Sequence, residues 1–394
     1  MNWLATLRPQ QWSMPVQGQA QSLDWPLLLL TGSLLAIGLV MIASSSVAIA
    51  DRQIGDPTYY LMRQSLYVAM GGAMALVVWQ IPLAIWQRLG PMLLIVSLLL
   101  LAILLIPGVG RTVNGSTRWL MLGPFNLQVS EVAKLAVVVY LAGYLVRRGD
   151  EVRTTVMGFI KPMLLIVLAA VLLLAEPDFG AAVVLSATAL GMMFLGGVRL
   201  WLFGVLLMMA SSMLAILAVT SPYRMQRLTA FLNPWADPFN SGFQLTQALI
   251  AFGRGEWFGV GLGSSVQKLF YLPEAHTDFL YAVLVEELGM FGGVVVIVLF
   301  VLLVARIMDI GRCAAVAGMH FGSYLCYGVA LWIAQQAFVN MGVNMGLLPT
   351  KGLTLPLMSY GGSSIIAVCV AIALVQRVAM ELPGKGVGAS RRPA

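Results

Sequence analysis

The stretch LPEAHTDFLYAVLVEELG, Leu272 to Gly289, places Glu274, His276, Asp278, Glu286 and Glu287 close together, immediately ahead of a long apolar run. A carboxylate or histidine in such a place can take a proton from a hydroxyl, the work of a general base. Asp278 stands at the start of the helix that the apolar run predicts. At helical spacing Tyr281, Ala282 and Val285 share its face, Glu287 lies nearly opposite and Glu286 to the side. The acids therefore do not make a paired-carboxylate site, and Asp278 reads as a lone base with His276 as the second candidate. A competing reading is that Thr277 or Asp278 caps the helix, since both residue types accept from its first free N–H groups. Glu286 and Glu287 read as structural or partner-facing.

Other polar residues point to an anionic substrate. Arg111 and Arg118, with Trp119, precede the segment SEVAKLAVVVY, which carries Glu131 and Lys134 three residues apart on one helical face. A charge inside a spanning helix costs at least about 2.5–3.5 kcal/mol, so the two are expected to pair. The pair either orients the helix or lines a polar cavity. Guanidinium groups suit a diphosphate because they bind its oxygens in a fork, whereas arginines at a membrane surface also meet lipid phosphates. Arg224, Lys268 and Lys351 are further cationic candidates, and Ser359 in MSYGGSS is a polar one. GRGEWFGVGLGSS lacks the spacing of a nucleotide loop. The two histidines and three cysteines form no ligand pattern. No tightly bound cofactor is expected, and a divalent cation, Mg²⁺ or Mn²⁺, would come with the substrate.

The elements that must carry these residues are membrane helices. The 394 residues are 60% hydrophobic and 10% charged, against about 25% charged in soluble domains. The net charge of +7 is scattered through short loops, which fits membrane topology rather than nucleic acid. Apolar runs predict an all-α polytopic protein with about ten spans, near 26–48, 64–81, 90–107, 129–146, 160–176, 179–197, 200–220, 282–306, 320–343 and 359–380. The fifth and sixth are joined by the tight turn EPDFG. Arg147, Arg148, Arg153 and Lys161 crowd one short connection and put it, and both termini, in the cytoplasm. Residues 1–24 and 381–394 are then cytoplasmic tails around a membrane domain, 25–380. Two long loops fall together on the outer side, 107–128 and 221–281, the second between spans seven and eight. FQLTQALIAF within it predicts an amphipathic interfacial helix.

Several segments in this order carry a resemblance: STRWLMLGPFNLQVSEVAKL, NPWADPFNSGFQLTQALIAFGRG, QKLFYLPEAHTDF, and NMGVNMGLLPTKGLTLPLMSYGGSS. From about residue 25 to 380 the chain resembles the SEDS proteins (shape, elongation, division and sporulation), typified by FtsW and RodA. LPTKG, with Thr350 and Lys351, and the opening tail are more similar to the division branch than to the elongation branch. One departure is Glu256, where relatives often carry Gly.

The resemblance implies a glycosyltransferase of the bacterial inner membrane, at the division septum. It would polymerise lipid II, extending a nascent glycan strand beside a class B penicillin-binding protein (FtsI). Other implied partners are FtsQ, FtsL, FtsB and FtsN. It also implies that the family's catalytic carboxylate falls on Asp278. Readings as a lipid II flippase or as a non-enzymatic scaffold stay open at this point.

Overall fold

A computed structural model describes residues 23–113, 116–122, 125–199, 201–205, 208, 231–240, 242–269, 271–349 and 352–383. In chain order its longer elements begin with helices α1 (Trp25–Ile54), α2 (Tyr59–Gln80) and α3 (Leu83–Leu104). Strands β1 (Gly110–Val113), β2 (Ser116–Leu122) and β3 (Phe125–Gln128) follow. Then come α4 (Val129–Thr154), α5 (Val156–Ala175), α6 (Phe179–Leu195), α7 (Phe243–Gly255), α8 (Leu280–Val316), α9 (His320–Asn344) and α10 (Gly362–Glu381).

Among the described residues, seven helices are long and apolar enough to cross a membrane: α1 to α5, α8 and α10. The protein is thus a multi-pass membrane protein by length and composition. Helix α6 is apolar but shorter, and α9 is long yet falls outside the seven. The span expected at 200–220 lies mostly outside the described residues.

Burial separates two layers. Most of α4 and α10 is enclosed, and α9 is buried along most of its length. By contrast α1, α2, α3, α5 and α8 keep broad apolar faces such as Leu29, Met62, Met92, Leu164 and Val301 outward. That is the pattern of a helix with one side on protein and one on lipid. The inner helices carry the buried polar residues Glu131, Lys134, Gln336, Asn340, Asn344 and Gln376. In hydrocarbon such groups are tolerated where they face other helices or a cavity.

Two features differ from the sequence expectation. The all-α reading is corrected by a three-stranded antiparallel meander in order β1-β2-β3, which occupies most of the first long loop. Its strands are short, so they carry too few alternations to stand out beside apolar helices. The second concerns the eighth expected span, 282–306. Helix α8 starts at Leu280, runs to Val316 and is broken at Gly289, which has φ 71° and ψ −175°. There the strap after α7 pairs with it. Val260 and Gly261 donate to the carbonyls of Glu286 and Glu287, while Met290 and Phe291 donate to those of Glu256 and Trp257. A Cβ on Gly259 would lie 2.1 Å from the Glu287 oxygen, so only glycine admits this approach. The break thereby keeps its backbone groups satisfied, as a membrane setting demands.

Candidate functional site

A cavity of about 820 Å³ opens where the sheet, the α5–α6 turn, the loop ahead of α8 and the segment 352–362 converge. Its walls include Asp278, Glu274, His276, Arg111, Arg118 and Glu131. Residues of the two outer loops thus meet at one place, although Arg118 and Asp278 are far apart in the chain.

Asp278 lies two residues before α8, half-buried at the cavity wall. The N-cap of α8 is Phe279, and no side chain of that residue closes the helix. Thr277 turns back, its hydroxyl donating to Glu274. The acceptor for the first turn comes from α9: Asn344 Oδ1 receives the Ala282 N–H at 3.1 Å. The capping expectation for Thr277 and Asp278 is therefore corrected, because a neighbouring helix supplies the cap. The Asp278 carbonyl accepts from Asn340 Nδ2 at 2.9 Å and from Asn344 Nδ2 at 3.0 Å. Burial, reinforced by the charge on Glu274, pushes its carboxyl up to about 7, against the pull of Arg118. A carboxyl near 7 is matched to proton abstraction at neutral pH.

His276 packs between Tyr60 and Tyr360, with ring centroids 4.6 and 5.6 Å away. Burial holds its imidazole below the usual histidine range despite Glu274. Its Nδ1 has no hydrogen-bond partner among the described residues. The aromatic wall continues through Tyr67 and is followed by Arg63.

On the other side stand the arginines. Arg118 on β2 lies 3.6 Å from Asp178 Oδ1, and its Nε donates to Ser116, whose hydroxyl donates to the Glu176 carbonyl. Asp178 is fixed in turn. Its carboxylate caps α6 at Ala181 and accepts from Ser130 at 3.1 Å. Arg111 on β1 is exposed and lines the same cavity. Beside them Glu176 is buried, its carboxyl pushed up to about 8 by burial and by Asp178. Neither residue of this turn was singled out from sequence. The signal was available: EPDFG falls on the same predicted side as the two long loops, and two acids flank its proline.

Glu131 and Lys134 pair at 2.9 Å, and the lysine also donates to Gln336 at 2.7 Å. Gln336 continues to the Thr354 carbonyl at 3.0 Å. Glu131 faces the cavity, its second oxygen without a hydrogen-bond partner among the described residues, whereas Lys134 is consumed in the buried network. Lys268 is also spent elsewhere, on Glu287 at 2.7 Å and Ser44 at 2.9 Å. Ser359 is buried in a turn, accepting from Leu355 N, and its carbonyl receives Gln64. The structure therefore brings together Asp278, His276, Arg111, Arg118 and Glu131, and places Lys134, Lys268 and Ser359 off the cavity. Arg224 and Lys351 lie outside the described residues. Among the described residues no group of three or more His, Cys, Asp or Glu is arranged to hold a metal.

The model of the family described as "Cell cycle protein", which groups FtsW, RodA and SpoVE, matches residues 25–383. The chain belongs to this family. It is 61% identical over 366 residues to the "Probable peptidoglycan glycosyltransferase FtsW" of Nitrosococcus halophilus, covering 93% of this chain and 94% of the relative. Against the protein of the same description from Legionella pneumophila it is 52% identical over 387 residues, covering 97% and 98%. Among solved structures, it matches one described as "Structural coordination of polymerization and crosslinking by a peptidoglycan synthase complex", with TM-score 0.75, 30% identity and coverage of 91% of this chain and 98% of the other. It also matches the rod shape determining protein RodA of Thermus thermophilus, with TM-score 0.66, 28% identity and coverage of 92% and 98%. The family resemblance read from the motifs is thereby shown.

Proposed function

We propose that this protein is a peptidoglycan glycosyltransferase that polymerises lipid II into β-1,4 glycan strands for the division septum, with Asp278 as general base. The observation that carries the reading is the Asp278 carboxylate: relieved of capping by Asn344, it faces a cavity whose opposite wall holds Arg111 and Arg118. Membership of the family and the activity named for the relatives support it.

The acceptor lipid II presents the 4-hydroxyl of its N-acetylglucosamine, and Asp278 takes that proton. The oxygen attacks C1 of the N-acetylmuramic acid on the donor strand. As the new β-1,4 bond forms, the α-linked bond to the diphosphate breaks, and undecaprenyl diphosphate leaves with the electron pair. This leaving group needs charge neutralisation more than a proton, which is what Arg111 and Arg118 offer. Salt-bridged Arg118 is held in place by Asp178 and Ser116, and a positioned donor stabilises charge without reorganising. A divalent cation, Mg²⁺ or Mn²⁺, would enter with the diphosphate and shield its charge. Glu131, with one oxygen without a hydrogen-bond partner among the described residues, suits such a substrate-borne ion.

The finer assignments follow from the same reading. Both termini are cytoplasmic, the cavity opens outward, and the protein resides in the bacterial inner membrane at the septum. Its working partner is a class B penicillin-binding protein, which crosslinks the strands as they emerge. The synthase-complex relative supports that pairing. FtsQ, FtsL, FtsB and FtsN are its further divisome partners.

The test is polymerisation of purified lipid II by the full chain, copurified with the crosslinking partner whose transpeptidase serine is inactivated. Strands from the native chain and none from Asp278→Asn are expected. Equal strand output from the two would move the base to another residue. Transport of labelled lipid II across vesicles without any strands would replace the enzyme by a flippase.

A further inference from the structure

Two asparagines on α9 hold the residue that the chemistry turns on. Asn340 and Asn344 are four apart, so they share a helical face, and both are buried. Their amide nitrogens reach the Asp278 carbonyl at 2.9 and 3.0 Å, which fills both of its acceptor sites. Asn344 then uses its own oxygen on the Ala282 N–H at 3.1 Å. Asn340 donates in addition to the Leu353 carbonyl. That residue follows Gly352, where an added Cβ would lie 2.9 Å from Asp278 Oδ2. One face of α9 therefore ties the loop that carries the carboxylate to the segment that leaves room for it.

The cap matters chemically. The first turn of a helix has free N–H groups, and an aspartate just ahead of it is their ordinary acceptor. A carboxylate so engaged is stabilised in its charged form and loses basicity. Here the amide oxygen of Asn344 stands at that acceptor position.

We propose that Asn340 and Asn344 are positioning residues for the glycosyl transfer: they fix the Asp278 backbone and occupy the cap of α8, which keeps the carboxylate turned into the cavity and unligated. This rests on Asp278 being the base. The charged groups acting on that carboxylate are Glu274 from its own loop, Arg118 from β2 and Asp178 from the α5–α6 turn. Glu131 of α4 and His276 line the same cavity.

The experiment measures initial rates of lipid II polymerisation against substrate concentration and pH, for the full chain copurified with its crosslinking partner. Asn344→Ala removes both the donor and the cap. Its maximal rate is expected to fall by about 10- to 100-fold, a part of the roughly 100- to 10,000-fold that a positioned base contributes, with KM changed little. Its acidic limb is expected to move to lower pH, because Asp278 now accepts the Ala282 N–H. Asn344→Asp keeps an acceptor for Ala282, loses the amide donor and adds a carboxyl beside Asp278, so the limb moves to higher pH. Asn340→Ala leaves the cap in place and lowers the rate without moving the limb. Opposite shifts in the two Asn344 variants support the proposal, and if Asn344→Ala does not fold, Asn344→Asp and Asn340→Ala decide it. An unshifted limb in the Asn344 variants, or native rates throughout, overturns it. Asp278→Asn is run in parallel. If that variant retains activity, the base assignment itself fails. If it is inactive while the asparagine variants behave as native, only the positioning role fails.

Discussion

At the scale of single residues, the cavity's chemistry depends on how few groups touch the Asp278 carboxyl. Burial pushes that carboxyl up to about 7, and a base works only when deprotonated. Polymerisation is therefore expected to rise with pH through about 7, rather than through the ordinary carboxylate range near 4. An initial-rate profile checks this, and a flat rate from pH about 5 upward would contradict the buried-base account. A second expectation concerns Gly352. A methyl group at this position would sit 2.9 Å from Asp278 Oδ2, so Gly352→Ala must displace the carboxylate or its own loop. A loss of about 10-fold or more in rate, with lipid II affinity retained, is the expected outcome, since misplacing a reacting group is that costly. Asp278 could be picked out as a candidate from sequence, because an acid at the edge of an apolar run stands out, and the structure places it at the cavity wall. Its supports could not be picked out. Asn340 and Asn344 fall in one of the segments that carry the family resemblance, but no role was read for them, and only the packing of α9 against α8 brings their amides to Asp278.

At the scale of elements, the two glutamates that crowd the same stretch have a different task. Glu286 and Glu287 are fully buried in the first turns of α8, before its break at Gly289. Glu286 accepts from Val266 N at 3.1 Å and from the Ser265 hydroxyl, and pairs with Arg254 at 3.1 Å. Glu287 holds Lys268 at 2.7 Å and Ser44 of α1. Together they staple the segment between α7 and α8 to the bundle. Removing one partner of a buried ion pair leaves an uncompensated charge, which costs about 3–5 kcal/mol. Glu287→Ala is therefore expected to lower the melting temperature of the detergent-solubilised protein and to expose the 256–269 strap to proteases. Lys268→Met with Glu287→Leu together should recover much of that loss, and failure of the double variant to recover would mean the pair does more than hold the strap. The structural reading of these acids from helical spacing agrees with this arrangement. Lys268 was drawn toward the substrate by charge alone, since sequence cannot say which of two nearby acids will consume a lysine. The sheet was missed because its strands are only four to seven residues long, too few alternations to stand out beside apolar helices.

At the scale of the whole molecule, the outward-facing apolar helices enclose an inner group that carries the polar network, and the cavity sits at one end of that group. Hydropathy made the spans easy to find, because a run of about 20 apolar residues is hard to mistake. Which helices lie inside was not legible from hydropathy, since α4 and α10 fall within the range of their lipid-facing neighbours, and burial separates them clearly. Orientation is decided by basic residues in short connections, and the structure supplies a native reporter for it. Cys313 near the far end of α8 is exposed, while Cys326 and Cys369 are buried. Arg306, Asp309 and Arg312 surround that end, and Arg306 is tied to Asp24 at the start of α1, so the two termini of this helix pair share one side of the bilayer. With the N-terminus cytoplasmic, a membrane-impermeant maleimide should label Cys313 only after the inner membrane is opened. In a Cys313→Ser background, Phe258→Cys on the exposed strap should label in spheroplasts whose inner membrane is intact. The reverse pattern would place the cavity, and with it Asp278, on the cytoplasmic face, where strand synthesis could not deliver its product to the wall.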